Sequence, residues 1–341
     1  MILLNFRLVA ILGIGKFLFV SFDITSLVAD PETLITEIPA IPGPDDSAYI
    51  VIKLIIASIV FKYINFSMII WIASYPKSGN TWVRTIISSM LFSSDGQFKM
   101  SLLKKIPQFP REAHFNEVTE RYSDIEEVCK HWITAQEKVN QEKKIFFFKT
   151  HNANIKIANY SFTNKKNTLA TIYIVRDPRN LVSSIANHFK MTNEKAKNFL
   201  IENRGLKQSI DGKEGVITPI TDWGDHYKSW TQHNDNLLLI KYENLIENIE
   251  REIIRIYEFL KNYMSVNINE NKIKKIIETT EFRQLQKLEK EGNFDEYKNR
   301  EKEFNFFYKG PENNWKNNIA KNISDEIENK YRDTMRNLKY L

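Results

Sequence analysis

Cysteine is almost absent: Cys129 is the only one in 341 residues. A lone thiol excludes a disulfide framework and any zinc site built on paired cysteines. Clean apolar stretches of the roughly 20 residues that a spanning helix needs are also missing. The two apolar runs near the start, Leu8 to Phe22 and Tyr49 to Phe61, each carry a lysine, Lys16 or Lys53. There is no internal repeat, no carboxylate–histidine set with metal-ligand spacing, and no basic–aromatic stripe of the kind that grips nucleic acid. What remains is ordinary globular composition, 43% hydrophobic and 26% charged, which rules out disorder, collagen and a long coiled coil. The length suits one large α/β domain or two modest ones. The net charge of +6 fits a partner bearing phosphates or sulfates, and equally a plain soluble protein.

The charge is unevenly placed. Residues 1–67 hold four basic and six acidic residues, a net of −2, so residues 68–341 carry +8. The first segment also differs in texture, with its two apolar runs flanking an acidic stretch around Pro39, Pro42 and Pro44. The first run has a charged start and an apolar middle, but no small-residue cleavage site follows. Three readings stand for 1–67: a membrane anchor, an accessory helical layer, or an upstream extension of a gene whose functional start is Met68. Met68 directly precedes the first strong strand, which favours the last. We therefore divide the chain into an N-terminal extension, 1–67, and a main domain, 68–341.

From residue 68 onward, strands and helices alternate. Apolar β-rich runs at 68–74, 145–149, 168–175 and 237–241 alternate with helical patterns at 80–92, 180–189, 222–233, 249–262 and 270–278. Near-continuous apolar strands separated by helices predict a buried parallel sheet with helices on both faces, an α/β fold of three α/β/α layers. The Lys/Asn/Glu-rich tail after Lys287 is polar, yet it carries Phe304, Phe306, Phe307, Tyr308 and Trp315. Solvated disorder does not place aromatics so densely, so part of the tail is expected to fold back onto the body.

Three strand ends carry chemistry. The first runs Ser74-Tyr-Pro-Lys-Ser-Gly-Asn-Thr-Trp82 into a helix. A strand, a tight glycine-containing loop and a helix N-terminus make an anion site, where backbone N–H groups and the helix dipole converge. Lys77 adds a charge, and Ser78, Asn80 and Thr81 add donors. The loop is not a Walker A motif, because lysine precedes the only glycine, Gly79. An ordinary strand–turn–helix junction reads equally well, and Trp82 suits a purine stack or the core. The second strand end is Val175-Arg176-Asp177-Pro178, where Pro178 fits a first helical turn. Arg176 is either an anion ligand at the crevice of an open sheet or the partner of Asp177 or Glu243. Ser184, two turns along, reaches the same side. The third is Lys149-Thr150-His151. Histidine at a crevice edge suits proton removal from a hydroxyl, although a lone histidine is more often structural. His114, His131, His188, His226 and His233 fall on predicted helices or loops with no flanking lysine.

Together these segments resemble the cytosolic-type sulfotransferases that use 3′-phosphoadenosine 5′-phosphosulfate (PAPS). That family's 5′-phosphosulfate loop reads Tyr-Pro-Lys-Ser-Gly-Thr-Thr-Trp, and residues 75–82 differ from it only at Asn80, where both side chains offer a donor. The resemblance implies a P-loop-like fold, PAPS as donor and no metal. It assigns the 3′-phosphate to Arg176 and Ser184, the adenine stack to Trp82, and the base to His151. In-line sulfuryl transfer to an acceptor hydroxyl or amine follows, with Lys77 stabilising the bridging oxygen and Lys149 holding the sulfuryl group. Tyr242, in Tyr-Glu-Asn-Leu, is expected near adenine. Thr280 and Phe282 match a Thr-Ser-Phe cofactor segment, and Lys309 and Gly310 a Lys-Gly that closes over the 3′-phosphate. Arg179 is expected to be a surface or loop-fixing residue, and the Trp-x-x-His-x-x-x-Trp pattern over 223–230 to be structural.

The departures also matter. Tyr308 stands where the family has arginine, and Asn313 and Asn314 replace Gly-Asp. Weaker donor binding is therefore expected. Ala320, Lys321 and Asp325 break the family's dimerisation segment, so pairing by that route is not expected and the oligomeric state stays open. Implied partners are a small-molecule or glycan acceptor and no nucleic acid, in the cytoplasm, with membrane association through 1–67 as the alternative. Phe109, Phe115, Tyr122 and Phe189, in and beside segments 100–125 and 190–220, point to an apolar or phenolic acceptor or, equally well, to core packing. Two rival functions remain: a P-loop small-molecule kinase, disfavoured by the missing Walker A loop, and a non-catalytic nucleotide-binding protein, for which Tyr308 is the best argument.

Overall fold

The computed structural model describes residues 6–12, 16–22, 68–142, 144–207, 215–232, 234–291 and 305–341. Two compact units divide the chain, Met1–Phe66 and Ser67–Leu341. In the first, strands Phe6–Leu12 and Lys16–Phe22 pair antiparallel, from Phe6 opposite Phe22 to Leu12 opposite Lys16. The first apolar run thus forms strands, not a helical layer. Phe, Val and Ile favour strands, and the intervening Gly13-Ile-Gly15 disfavours a continuous helix. The remainder of 1–67, including the second apolar run, lies outside the described residues.

The second unit is built on four strands: β1 (Ile69–Ser74), β2 (Phe146–Thr150), β3 (Thr168–Val175) and β4 (Leu237–Lys241). Their order is β4-β3-β1-β2, and every pair is parallel. The expected parallel sheet is therefore present, with strand limits within one residue of the sequence reading. Side chains alternate across a strand, and all six residues of β1 are buried. Ile69, Trp71 and Ala73 join one apolar cluster with Phe148, Phe162, Trp223 and Trp230. The intervening Ile70 and Ile72 are equally inaccessible, so both faces of the sheet are covered.

The flanking helices begin where the sequence supplies caps. Helix α1 (Asn80–Phe92) starts at Gly79, and α2 (Pro178–Phe189) starts at Asp177, whose side chain accepts from the Arg179 amide. Helix α3 (Trp223–Thr231) is capped by Asp222, and the short α4 (Tyr242–Glu247) leaves β4 directly. Phe109 and Phe115 are fully buried in the core cluster, with Phe109 edge-on to Trp71 at 5.5 Å. They pack the fold, and do not line an acceptor site. Part of the tail does fold back: Phe307 is buried, and a C-terminal helix (Lys321–Asn337) sends Ile323 and Ile327 into the core. Phe304 lies outside the described residues.

Candidate active site

The carboxyl ends of β1, β2 and β3 lie side by side, and in an open parallel sheet that edge is where ligands bind. A cleft of about 780 Å³, including its open mouth, sits there. It is lined by Lys77, Gly79, Asn80, Thr81 and Trp82 from the first loop, Lys149 and His151 from the end of β2, and Arg176 and Ser184 from β3 and α2. Tyr242, Phe282, Lys309 and Gly310 complete the sequence-derived set. Two members do not reach it. Ser78 is buried inside the loop, and Thr280 turns its hydroxyl back to the Ile276 carbonyl at 2.7 Å.

The phosphate loop is shaped by backbone geometry. Lys77 takes φ 68°, a left-handed conformation costing roughly 1 kcal/mol. Gly79 takes φ 101°, and a β-carbon there would lie 2.5 Å from the Tyr242 ring. The first intrahelical bond of α1 runs from Val83 N to Gly79 O, so the amides of Asn80, Thr81 and Trp82 have no intrahelical acceptor. The Asn80 side chain departs from expectation. Its Nδ2 donates to Ile72 O at 2.9 Å and Ser74 Oγ at 3.1 Å. Its donors are spent on β1 and none is left for an anion.

The surroundings of His151 fix its tautomer. Nδ1 lies 2.7 Å from the Ser74 carbonyl, which can only accept, so Nδ1 carries the proton and Nε2 the lone pair. Burial first, then the Lys149 ammonium, holds its pKa well below the ordinary histidine range. The Trp-x-x-His-x-x-x-Trp pattern fixes the chain here. His226 Nε2 donates to His151 O at 3.1 Å, and Trp230 Nε1 to Asn152 O at 2.9 Å. The Tyr173 hydroxyl closes the chain on His226 Nδ1 at 2.8 Å.

Arg176 lies 4.0 Å over the Tyr242 ring and donates to Lys77 O at 3.3 Å and Gly310 O at 3.4 Å. It pairs with neither Asp177 nor Glu243; Asp177 instead binds Arg179 at 2.7 Å. Trp82 meets Tyr242 at 5.6 Å and Phe282 at 6.0 Å, both edge to face, so Phe282 adjoins Trp82 without standing parallel to it.

The tail supplies a wall that the motifs did not locate. Phe306, Phe307, Tyr308 and Asn313 line the cleft, together with His188, Phe189 and Leu206. Lys77 Nζ sits 4.0 Å over the Phe306 ring and 3.4 Å from His188 Nδ1. Set aside as helical, His188 is four residues after Ser184, which places both on one face of α2. Leu206 arrives on a two-stranded ribbon, Gly205–Lys207 with Ile217–Pro219, that no sequence pattern announced. No three His, Cys, Asp or Glu side chains converge on a metal-sized site among the described residues.

A family model described as the sulfotransferase domain matches residues 68–339. The chain belongs to the sulfotransferase family. An amine sulfotransferase of Oryctolagus cuniculus is 24% identical over 276 residues, covering 78% of this chain and 80% of that one. Sulfotransferase 1E1 of Bos taurus is 26% identical over 271 residues, covering 78% and 82%. Among solved structures, mouse sulfotransferase SULT7A1 complexed with PAP superposes with a TM-score of 0.52 at 19% identity, over 80% of this chain and 86% of that one. That likeness agrees with the α/β/α layers expected from the strand–helix alternation and with the P-loop-like fold that the resemblance implies.

Of the two readings of Arg179 in this sulfotransferase, surface or loop-fixing, the geometry fits the second, since it is only 6% exposed and binds Asp177. Lys309 donates to Asn318 Oδ1 while its ammonium stays 5.4 Å from the Tyr308 ring. Among the described residues no helix is long and apolar enough to cross a membrane.

Proposed function

We propose that residues 68–341 transfer a sulfuryl group from PAPS to the hydroxyl or amine of a small-molecule or glycan acceptor. The observation that carries this reading is the tautomer of His151. With Nδ1–H committed to Ser74 O, the Nε2 lone pair belongs to the cleft that also holds Lys77, Lys149 and Arg176. Its depressed pKa keeps that lone pair unprotonated at neutral pH.

The cleft fits the donor. Its lining suits an anionic ligand with an aromatic base, since Lys77, Lys149, Arg176 and Lys309 share it with Trp82, Tyr242 and Phe282. Arg176 Nε is buried without a hydrogen-bond partner, at the end expected to hold the 3′-phosphate. Arg176 and Ser184 would hold the 3′-phosphate with Lys309 and Gly310. The amides of residues 80–82 would hold the 5′ end, and Trp82, Tyr242 and Phe282 the adenine. PAPS, when bound, supplies the sulfuryl group and a phosphate leaving group. His151 Nε2 takes the acceptor proton. Lys77 and Lys149 set two ammonium charges beside the developing negative charge, the fixed electrostatic aid that such transfers need. Phe189, Leu206 and Phe306 offer an apolar wall for the acceptor. We place the activity in the cytoplasm, on the likeness to cytosolic-type members.

The test is an acceptor panel of phenols, alcohols and amines with radiolabelled PAPS, run with wild type and His151→Ala. Transfer by wild type, reduced about 10²–10⁴-fold in the variant at near-unchanged PAP affinity, is expected. Undiminished transfer by His151→Ala would sink the assigned mechanism. Binding of PAP with no turnover on any acceptor would favour the non-catalytic reading.

A further inference from the structure

We infer that Arg179 is a positioning residue that clasps the two halves of the 3′-phosphate site together. The inference rests on the donor reading above. One half is the loop after β3, which carries Arg176; the other is the tail, which carries Lys309 and Gly310. They belong to segments more than 130 residues apart in sequence, and they meet where Arg176 Nη2 reaches Gly310 O at 3.4 Å. A contact that long does not by itself hold a tail in place.

Gln286 holds the tail at Phe307 and Tyr308, and Ser183 Oγ donates to Asn313 Oδ1 at 2.8 Å, but Arg179 is the side chain that grips the Asp177 loop and the tail at once. On the loop side its Nε and Nη2 grip the Asp177 carboxylate at 3.0 and 2.7 Å, a two-point fork. Asp177 is the immediate neighbour of Arg176, and its own amide is tied to Glu243 Oε1 at 3.0 Å. On the tail side the guanidinium plane lies 4.1 Å over the Trp315 ring. Nη1 reaches Glu328 at 2.6 Å, and Nη2 reaches the Tyr340 carbonyl at 2.8 Å. The neighbouring Asn180 extends the same clasp, accepting from Trp315 N at 2.8 Å and from Asn313 Nδ2 at 2.7 Å. Trp315 follows Gly310 by five residues, so tethering the indole limits how far Lys309 and Gly310 can swing from Arg176.

Only arginine performs both tasks. Its planar fork matches a carboxylate edge-on while its face lies on an aromatic ring, whereas lysine brings the charge without fork or plane. Arg179→Lys should therefore keep the pairing with Asp177 in part and release Trp315. Trp315→Leu removes the other side of the clasp at a half-buried position, and it keeps the test open should Arg179→Lys fail to fold.

The experiment titrates full-length wild type and both variants by calorimetry with adenosine 3′,5′-bisphosphate and with AMP, which lacks the 3′-phosphate. Wild type is expected to prefer the bisphosphate, and each variant to lose about tenfold of that preference while AMP affinity stays nearly constant. Variants that keep the wild-type preference, or that weaken both ligands equally, overturn the inference and leave the donor reading standing. A wild type that binds both ligands alike overturns the donor reading and this inference with it.

Discussion

Replacing Tyr308 by arginine is expected to tighten donor binding. Tyr308 lines the cleft beside Lys309 and Gly310, and its backbone is pinned by Gln286, whose Nε2 donates to Phe307 O at 2.9 Å and to Tyr308 O at 2.8 Å. A new side chain therefore inherits the direction of the old one. Two residues on, Gly310 O meets the Arg176 guanidinium, so an arginine at 308 enters the same anion environment. A tyrosine there offers one neutral hydroxyl; an arginine offers a charged fork, worth about 1.5–3 kcal/mol per hydrogen bond to a charged group. Part of this is lost to repulsion from Arg176 and Lys309, which already line the cleft. The net expectation is about 1.5 kcal/mol, or about tenfold in Kd. Calorimetric titration of wild type and Tyr308→Arg with PAP and AMP, each at low and high salt, measures it. The gain should appear with PAP, shrink as salt rises, and be absent with AMP. No gain, or an equal gain with AMP, refutes the reasoning.

Acid should destabilise the fold in a defined window. Burial pushes the His226 pKa down to about 4, so between its ordinary value near 6.5 and about 4 the unfolded chain binds a proton that the folded chain refuses. Stability is then level with respect to this group above pH 6.5 and falls by roughly 3 kcal/mol as pH drops through that window. His151 acts in the same direction. Urea midpoints that agree at pH 7.5 and pH 4.5 would count against this account. Gly310→Ala is expected to cost about 1–3 kcal/mol and weaken PAP binding, because Gly310 has φ 53° and an added β-carbon would lie 2.1 Å from Phe282. Unchanged urea stability and PAP affinity would show that Phe282 moves aside freely.

The parts of the site that lie on continuous segments were legible in the chain itself. Strand ends followed by Lys77, Lys149 and Arg176 are local patterns, and a parallel sheet brings such ends to one edge. The parts assembled by tertiary packing were not. Leu206 reaches the cleft on a ribbon of three-residue strands, too short for any period to show. Phe306 and Phe307 were visible as aromatics that must pack somewhere, but the place they pack was not. Asn80 failed differently: its donors looked available because the competing acceptors, Ile72 O and Ser74 Oγ, lie on the preceding strand. Arg179 looked like one more loop charge, and its partners Glu328 and Tyr340 lie some 150 residues downstream.

The tail wall has a consequence for how the protein is made. The segments bearing Lys77, Lys149 and Arg176 leave the ribosome first, and Phe306 to Gly310, which line the same cleft, follow only after all of them. Arg179 waits longer still for the Tyr340 carbonyl. A nascent chain with its sheet already formed thus has only part of the cleft's lining. Premature termination between Tyr242 and Phe306 would remove Phe306 to Gly310 from the cleft, and with them Ile323 and Ile327 from the core.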